Sequence, residues 1–217
     1  MDRHKVAIVI PAFNESKTIK KVVDSVYCFG DIFIVNDGSN DATLAECNKM
    51  DVHTISHTFN QGYDAALNTG FKEAIKIGYE IIITFDADGQ HDPKMIEIFI
   101  KYVNEGYDLV IGNRSHKQRL GEVIFSSYAY MVYGISDPLC GFKAYNAKLY
   151  KKLGCFDSYE SIGTQLALFS IKNKEKFKEV NMITSERTDS PRFSDFFGGN
   201  YKIFRAMFLS MFLLKKI

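Results

Sequence analysis

The chain has 217 residues, 46% of them apolar and 24% charged, with a formal net charge of +1. That length allows one substantial hydrophobic core, or a core plus a small appendage, and the near-neutral balance speaks against a bulk nucleic-acid binder. The four cysteines, Cys28, Cys47, Cys140 and Cys155, are scattered with no CxxC spacing, which argues against a zinc site or a disulfide framework and fits a reducing, cytoplasmic setting.

From the N-terminus, "KVAIVI" (5–10) is a short run rich in β-branched residues and reads as a buried strand. Before Pro11 that run is about six residues, short of the roughly 7–15 of an export signal. "NESKTIKKVVDSVYCF" follows with Ile19, Val22, Val23 and Val26 at helical spacing. "DIFIVNDGS" is a second strand ending in turn residues, "DATLAECNKM" a helix and "VHTISH" a short strand. "GYDAALNTGFKEAIKIG" predicts a helix with Gly78 as its stop. "EIIITFDADG" is the third strong strand, "DPKMIEIFIKYV" a helix with Pro93 at or near its first turn, and "YDLVIGNR" another strand.

Up to residue 112, strand and helix alternate at short spacing, which predicts an α/β fold: a mostly parallel central sheet sandwiched by helices. Residues 113–217 are less regular. A basic loop leads into an aromatic stretch (115–134), "DPLCGFKAYNAKLYKKL" reads as turn, strand and helix, "IGTQLALFSIKN" as a helix, and "FKEVNMIT" as a strand. No repeat or Pro/Gly-rich linker divides the chain, so residues 1–217 are expected to form one continuous domain. The tail "YKIFRAMFLSMFLLKKI" carries nine consecutive uncharged, largely apolar residues between Arg205 and Lys215. It reads either as a helix packed on the core or as an interfacial helix with snorkelling lysines. No stretch approaches the roughly 20 apolar residues of a membrane span.

Ligands of open α/β sheets bind beyond the carboxyl ends of the strands, and four such ends here carry polar clusters: Asn14-Glu15, Asn36-Asp37-Gly38-Ser39, Asp86-Ala87-Asp88 and Asn113-Arg114. Asp86 and Asp88 stand two apart in a segment read as extended, so their side chains are expected on one side. Two hard oxygen donors near solvent suit Mg²⁺ or Mn²⁺, with Gln90 as a neutral oxygen and substrate phosphates completing the shell. The alternative is a plain Asp-Gly turn capped by Asp88. Asp37 either accepts a hydrogen bond from a nucleotide base or caps a turn. A ribose role in a dinucleotide fold is disfavoured because "PAFNES" lacks the glycine-rich turn. Gly62, Ala65 and Ala66 open a helix where small residues admit either a ligand or close helix–sheet packing. Arg114, His116, Lys117 and Arg119 crowd one loop and Arg187 and Arg192 another. They are either solvated or stabilise a departing diphosphate. His91 is expected to be structural or to stand behind the metal ligands.

"VIPAFNE", "VNDGSNDAT", "NQGYDAALNTGF", "DADGQHDP" and "DPLCGFKAY" occur in an order and spacing that resemble family 2 glycosyltransferases of the GT-A fold, most of all their polyprenyl-phosphate, dolichyl-phosphate mannose synthase-like branch. The likeness spans roughly residues 5–150. It implies transfer of a sugar from a nucleotide-sugar donor, bound by residues 1–112, to an acceptor bound by residues 113–217. Pro11, Ala12, Phe13 and Glu15 would wrap the nucleoside, Asp37 would meet the base, and Gly62 and Ala87 would border the nucleotide. Asp86, Asp88 and Gln90 would hold Mg²⁺ or Mn²⁺ on the diphosphate. Asp137 would be the general base toward a hydroxyl acceptor, whereas a polyprenyl phosphate, already ionised, needs none. Arg114 and Arg187 would stabilise the leaving group. Gln165 stands where the family's later helix commonly carries an acid. A nucleotidyltransferase or a non-catalytic nucleotide-sugar-binding module are the alternatives. The implied location is cytoplasmic, with the tail helix touching the membrane face.

Overall fold

A computed structural model describes residues 5–115, 117, 119–182 and 196–214, the last segment from residue 198 onward with side chains. The elements in chain order are β1 (Val6–Ala12), α1 (Ile19–Val26), β2 (Asp31–Asn36), α2 (Thr43–Cys47), β3 (His53–Ser56), α3 (Tyr63–Ile77), β4 (Ile81–Thr84), α4 (Met95–Asn104), β5 (Leu109–Arg114), α5 (Leu120–Tyr133), β6 (Lys143–Asn146), α6 (Ala147–Leu153), α7 (Gln165–Lys172), β7 (Phe177–Met182) and α8 (Phe196–Leu213).

The strands form one sheet in the order β3-β2-β1-β4-β6-β5-β7. All neighbours are parallel except β6, which runs antiparallel to both β4 and β5. The alternation of strands and helices up to residue 112 predicts the parallel part; the insertion of β6 between β4 and β5 is a tertiary outcome. Its consequence is local: the segment entering β6 from residue 137 is carried beside the carboxyl end of β4, with Thr84 opposite Lys143.

Both faces of the sheet are covered, which is why its central strands read as unbroken apolar runs. Along β1, Ala7 and Val9 face a core shared with α3, α5, α6 and α7, while Val6, Ile8 and Ile10 face a second core built with α1 and α4. The α3 helix closes on the sheet at Gly70: a methyl group there would come within 2.3 Å of Val9 Cγ1. Helix α3 ends as predicted at Gly78, left-handed with φ 113°. Helices α1 and α2 are shorter than the sequence pattern, because residues 14–18 and 40–42 are spent on loop hydrogen bonds described below.

The aromatic stretch after the basic loop is α5, which packs against α8 through small residues. Gly121 N–H donates to Asn200 Oδ1 (3.0 Å), and a Cβ on Gly121 would meet Ile203 at 3.3 Å. The packed reading of the tail holds for one face of α8; Lys215 and Lys216, on which the interfacial reading also rests, lie outside the described residues. Ile203, Ala206 and Ser210 are buried, whereas Tyr201, Phe208 and Phe212 are 68%, 59% and 70% exposed.

The Gly70 contact yields a test of the packing. Gly70→Ala overpacks α3 against Val9 and is expected to cost about 1–3 kcal/mol, read as a lower urea midpoint with an unchanged slope.

Candidate active site

The loops after β1 and β2 are laced together. Asn14 N–H donates to Ser39 Oγ (3.0 Å), Asn40 N–H to Asn14 Oδ1 (2.9 Å), Glu15 N–H to Thr43 Oγ1 (2.7 Å) and Ser16 N–H to Asp41 Oδ2 (3.3 Å). Asn14 takes a left-handed φ of 54° to reach these bonds. Pro11, Ala12 and Glu15 are buried and Phe13 half-buried; Glu15 Oε2 accepts from Thr18 Oγ1 at 2.6 Å. The expected nucleoside wall is therefore a rigid double loop.

Asp37, expected to meet a base, is tied into the fold by hydrogen bonds of its own. It is 3% exposed. Its Oδ1 accepts from Gln61 N–H (2.9 Å) and meets His57 Nδ1 (2.7 Å), and its Oδ2 accepts from Gly62 N–H (2.8 Å). The carboxylate thereby anchors the loop that leads into α3. Of the small residues there, Ala66 lies in the core and Gly62 holds a positive φ of 96°.

Strand β4 ends at Thr84, and Ala87-Asp88 form a turn, so the pleat does not set the relative direction of Asp86 and Asp88. The surroundings set it instead. Asp86 Oδ1 accepts from Tyr63 OH (3.3 Å), and Oδ2 lies 3.1 Å from His91 Nε2. Gly141 presses on the same carboxylate so closely that a Cβ there would fall 2.1 Å from Oδ2. Burial pushes the Asp86 carboxyl up, but the His91 and Tyr63 hydrogen bonds and the nearby Lys143 charge outweigh it, and the group stays below the ordinary value. His91 is buried against Phe85 and Phe142, and its Nδ1 has no hydrogen-bond partner among the described residues. Asp88 Oδ1 accepts from Gln90 N–H (3.0 Å), closing a tight turn that leaves Asp88 half-buried beside the fixed Asp86.

Arg114 and Asp137 do meet, but they satisfy each other. Arg114 Nε and Nη2 donate to Asp137 Oδ2 (2.7 Å) and Oδ1 (2.9 Å), and Nη2 also reaches Glu122 Oε2 (3.2 Å). Asp137 is fully buried. In this structure the Asp137 carboxylate is therefore paired with Arg114 rather than standing as a free base beside a free cation. Arg187, Arg192 and His116 lie outside the described residues.

One feature gave little sequence signal. The loop 155–164 is fastened to α3 by Asn68, whose Oδ1 accepts from Phe156 N–H (2.8 Å) and Asp157 N–H (3.2 Å), and by Asp64, which accepts from Ile162 N–H (3.0 Å) and Gly163 N–H (2.6 Å). Asp157 accepts from three successive N–H groups, of Tyr159, Glu160 and Ser161. Glu160 and Ile162 adopt φ of 57° and 56°, a conformation that is a clear outlier for a β-branched residue. Gln165 accepts from Ser158 N–H at 2.6 Å and closes the loop. Gly163 also touches the Tyr63 ring, 3.2 Å from where its Cβ would be, so this loop backs the residue that holds Asp86.

Residues 7–179 match the model of glycosyl transferase family 2. The chain belongs to that family. Among its relatives, an uncharacterized protein of Methanocaldococcus jannaschii is 34% identical over 202 residues, covering 85% of this chain and 83% of its own. The UDP-N-acetylglucosamine–dolichyl-phosphate N-acetylglucosaminyltransferase of Methanococcus voltae is 29% identical, over 96% and 95% of the two chains. In structure, glucosyl-3-phosphoglycerate synthase from Mycobacterium tuberculosis, in complex with Mn²⁺, uridine diphosphate and phosphoglyceric acid, superposes with a TM-score of 0.72 at 18% identity, covering 95% of this chain and 78% of that one. The fold of this glycosyltransferase is therefore GT-A.

The donor set fits a divalent ion of the hard kind. Among the described residues no group of three or more His, Cys, Asp or Glu side chains forms a self-sufficient cage; a divalent ion at this edge would use the Asp86 and Asp88 carboxylates and take its remaining oxygens from a ligand.

Two outcomes test this site. Gly141→Ala forces the Asp86 carboxylate off its seat and is expected to weaken Mn²⁺ binding by about 10–100-fold, the usual effect of disturbing the groups that orient a metal ligand, measured by titration calorimetry in the presence of nucleoside diphosphate. The second concerns Asp64, whose carboxyl is raised from 3.8 to about 7 by burial and then by the Asp157 charge, against its two N–H donors. The folded chain therefore holds a proton there that the unfolded chain has released. Stability from this group falls as pH rises from 3.8 toward about 7 and levels off above. Asp64→Asn is expected to flatten that slope in urea denaturation measured across the range.

Proposed function

We propose that this glycosyltransferase moves a sugar from a nucleotide-sugar donor to a polyprenyl phosphate or lipid-linked glycan acceptor in cell-surface glycan synthesis, in one displacement with inversion at the anomeric carbon. The observation that carries the reading is the seat of Asp86: a carboxylate at the sheet's carboxyl edge, held by Tyr63, His91 and Gly141, with Asp88 in the turn that follows, beside the rigid double loop after β1 and β2. The family membership supports the sugar transfer. The names of two relatives, the dolichyl-phosphate N-acetylglucosaminyltransferase and a polyprenol monophosphomannose synthase of Mycolicibacterium smegmatis (33% identical over 49% of this chain), support the lipid phosphate acceptor.

In this reading Pro11, Ala12, Phe13 and Glu15 form the nucleoside wall, and Asp37 shapes it by holding residues 61 and 62. Asp86 and Asp88, with Gln90, hold Mg²⁺ or Mn²⁺, which when bound neutralises charge on the diphosphate leaving group. The closed Arg114–Asp137 pair favours an acceptor that is already ionised, because a phosphate oxygen attacks without a base. Arg187 is assigned to the leaving diphosphate on the strength of the family motif. No described helix is long and apolar enough to cross a membrane. We assign membrane contact to the outward side of α8 and its neighbour α5, where Leu120, Tyr130, Met131, Phe208 and Phe212 are all more than half exposed.

A thermal-shift screen of nucleoside diphosphates tests the donor assignment, since a ligand that binds only the folded state raises its stability. A metal-dependent shift is expected with one or two of them, lost in Asp88→Ala; equal shifts in the variant would count against it. For the membrane face, Phe208→Ser/Phe212→Ser is expected to reduce co-sedimentation with phospholipid vesicles by at least about tenfold, given roughly 1.5–3 kcal/mol for each phenylalanine buried, while the nucleotide shift stays intact.

A further inference from the structure

Lys143, the lysine of the "GFKAY" motif, has no part in the mechanism above, yet among the described residues it is a buried lysine with no carboxylate contact. It is 2% exposed. Its ammonium donates to Cys140 O (2.6 Å) and Gly163 O (3.1 Å), two neutral carbonyls, and it forms no ion pair with a described residue. A lysine carries three donors, and a desolvated ammonium without a counter-ion is costly. Arg114 poses no such problem, being met by Asp137 and Glu122. Asp86 in turn has no Lys or Arg contact among the described residues, its neighbours being a tyrosine hydroxyl and an imidazole; Asp64 and Asp157 are held by backbone N–H groups of the loop 155–164 instead.

The connections place Lys143 behind that acid. It lies opposite Thr84, two residues before Asp86, in the β4–β6 ladder. Thr84 Oγ1 donates to Gly141 O (2.5 Å) and accepts from Lys143 N–H (3.1 Å), and Gly141 presses on the Asp86 carboxylate. The two carbonyls bound by the ammonium belong to the two loops, 137–142 and 155–164, that contact Asp86 and Tyr63. Burial lowers the Lys143 ammonium's proton affinity, and the neighbouring Asp137 and Asp86 charges oppose that effect.

We propose that Lys143 is a positioning residue whose buried ammonium acts as the resident counter-charge of Asp86, so that this centre prefers a metal–diphosphate complex to a bare divalent cation. The deduction is electrostatic and rests on the metal reading of Asp86 and Asp88 given above. A bare cation entering beside Asp86 is repelled by Lys143. A nucleoside diphosphate is attracted by it, and a cation–diphosphate pair, net negative, meets no net repulsion. The lysine would thus discourage loading of metal without donor.

The test is titration of Mn²⁺ alone, of uridine and guanosine diphosphates alone, and of each with Mn²⁺, by calorimetry. Wild type is compared with Lys143→Gln, which keeps N–H donors for the two carbonyls but no charge, and with Lys143→Arg, which keeps the charge. In Lys143→Gln, Mn²⁺ alone is expected to bind on the order of tenfold tighter, the diphosphate alone weaker, and the combination no tighter than in wild type. Lys143→Arg should follow wild type. A purely structural lysine would weaken all three together, and that pattern, or unchanged Mn²⁺ affinity, overturns the inference while leaving the metal site standing. Absence of any Mn²⁺-dependent binding in wild type overturns both. If Lys143→Gln does not fold, Asp86→Asn decides: removing the partner carboxylate must lower the thermal midpoint by stranding the ammonium, and an unchanged or higher midpoint refutes the pairing.

Discussion

The hold on the Asp86 carboxylate is the constraint around which the site is arranged. Its two oxygens are claimed by groups from α3 and from the turn that follows β4, and its flank is pressed by the backbone of Gly141. No local backbone preference produces this, since the strand has already ended at Thr84. Three segments distant in sequence must arrive together, and each has its own reason to be there. Tyr63 follows from the anchoring of residues 61 and 62 by Asp37, His91 from its packing between Phe85 and Phe142, and Gly141 from the antiparallel entry of β6. A carboxylate fixed this way needs little reorganisation when a ligand arrives, which is the condition for strong electrostatic stabilisation of a developing charge.

The buried charges around this seat are sorted rather than merely abundant. Arg114, Asp137 and Glu122 form a closed set, Asp37 is neutralised by N–H donors and His57, and Asp157 by three backbone amides. Such networks hold loops in conformations that the backbone resists. The left-handed φ of Ile162 and Glu160, each worth on the order of 1–3 kcal/mol of strain, persists because Asp64, Asp157 and Lys143 over-determine the loop. Strain of this kind commonly accompanies a functional site, and here it backs Tyr63.

The other half of the molecule faces outward. Helices α5 and α8 meet over glycine at their N-terminal turns, with Arg119 of the basic loop resting where a Cβ on Gly199 would stand. Their buried sides complete the core under the sheet, which leaves phenylalanine, tyrosine and methionine on the opposite side. The same apolar composition that marks α8 as a packing helix therefore also supplies an exposed face, and one sequence pattern serves both.

Much of this was legible in the linear chain. The strands were readable because a sheet covered on both faces needs consecutive apolar residues, and α3 and α4 announced themselves by spacing and by Gly78 and Pro93. The family was readable because five motifs stand in register, and Asp86-Ala87-Asp88 was visible as a polar break after a buried strand. What the one-dimensional pattern cannot hold is the partner of each charge. In the linear chain Asp37 and Asp137 both read as acids open to a ligand, yet folding buries both and places them against backbone amides, His57 and Arg114. Lys143 looks like a solvated lysine, yet the antiparallel placement of β6 takes it out of water. Local periodicity decides which residues leave the solvent as a group. Only the meeting of distant segments decides which charge is left facing which, because Coulomb energies in a desolvated interior depend on separations that sequence distance does not encode.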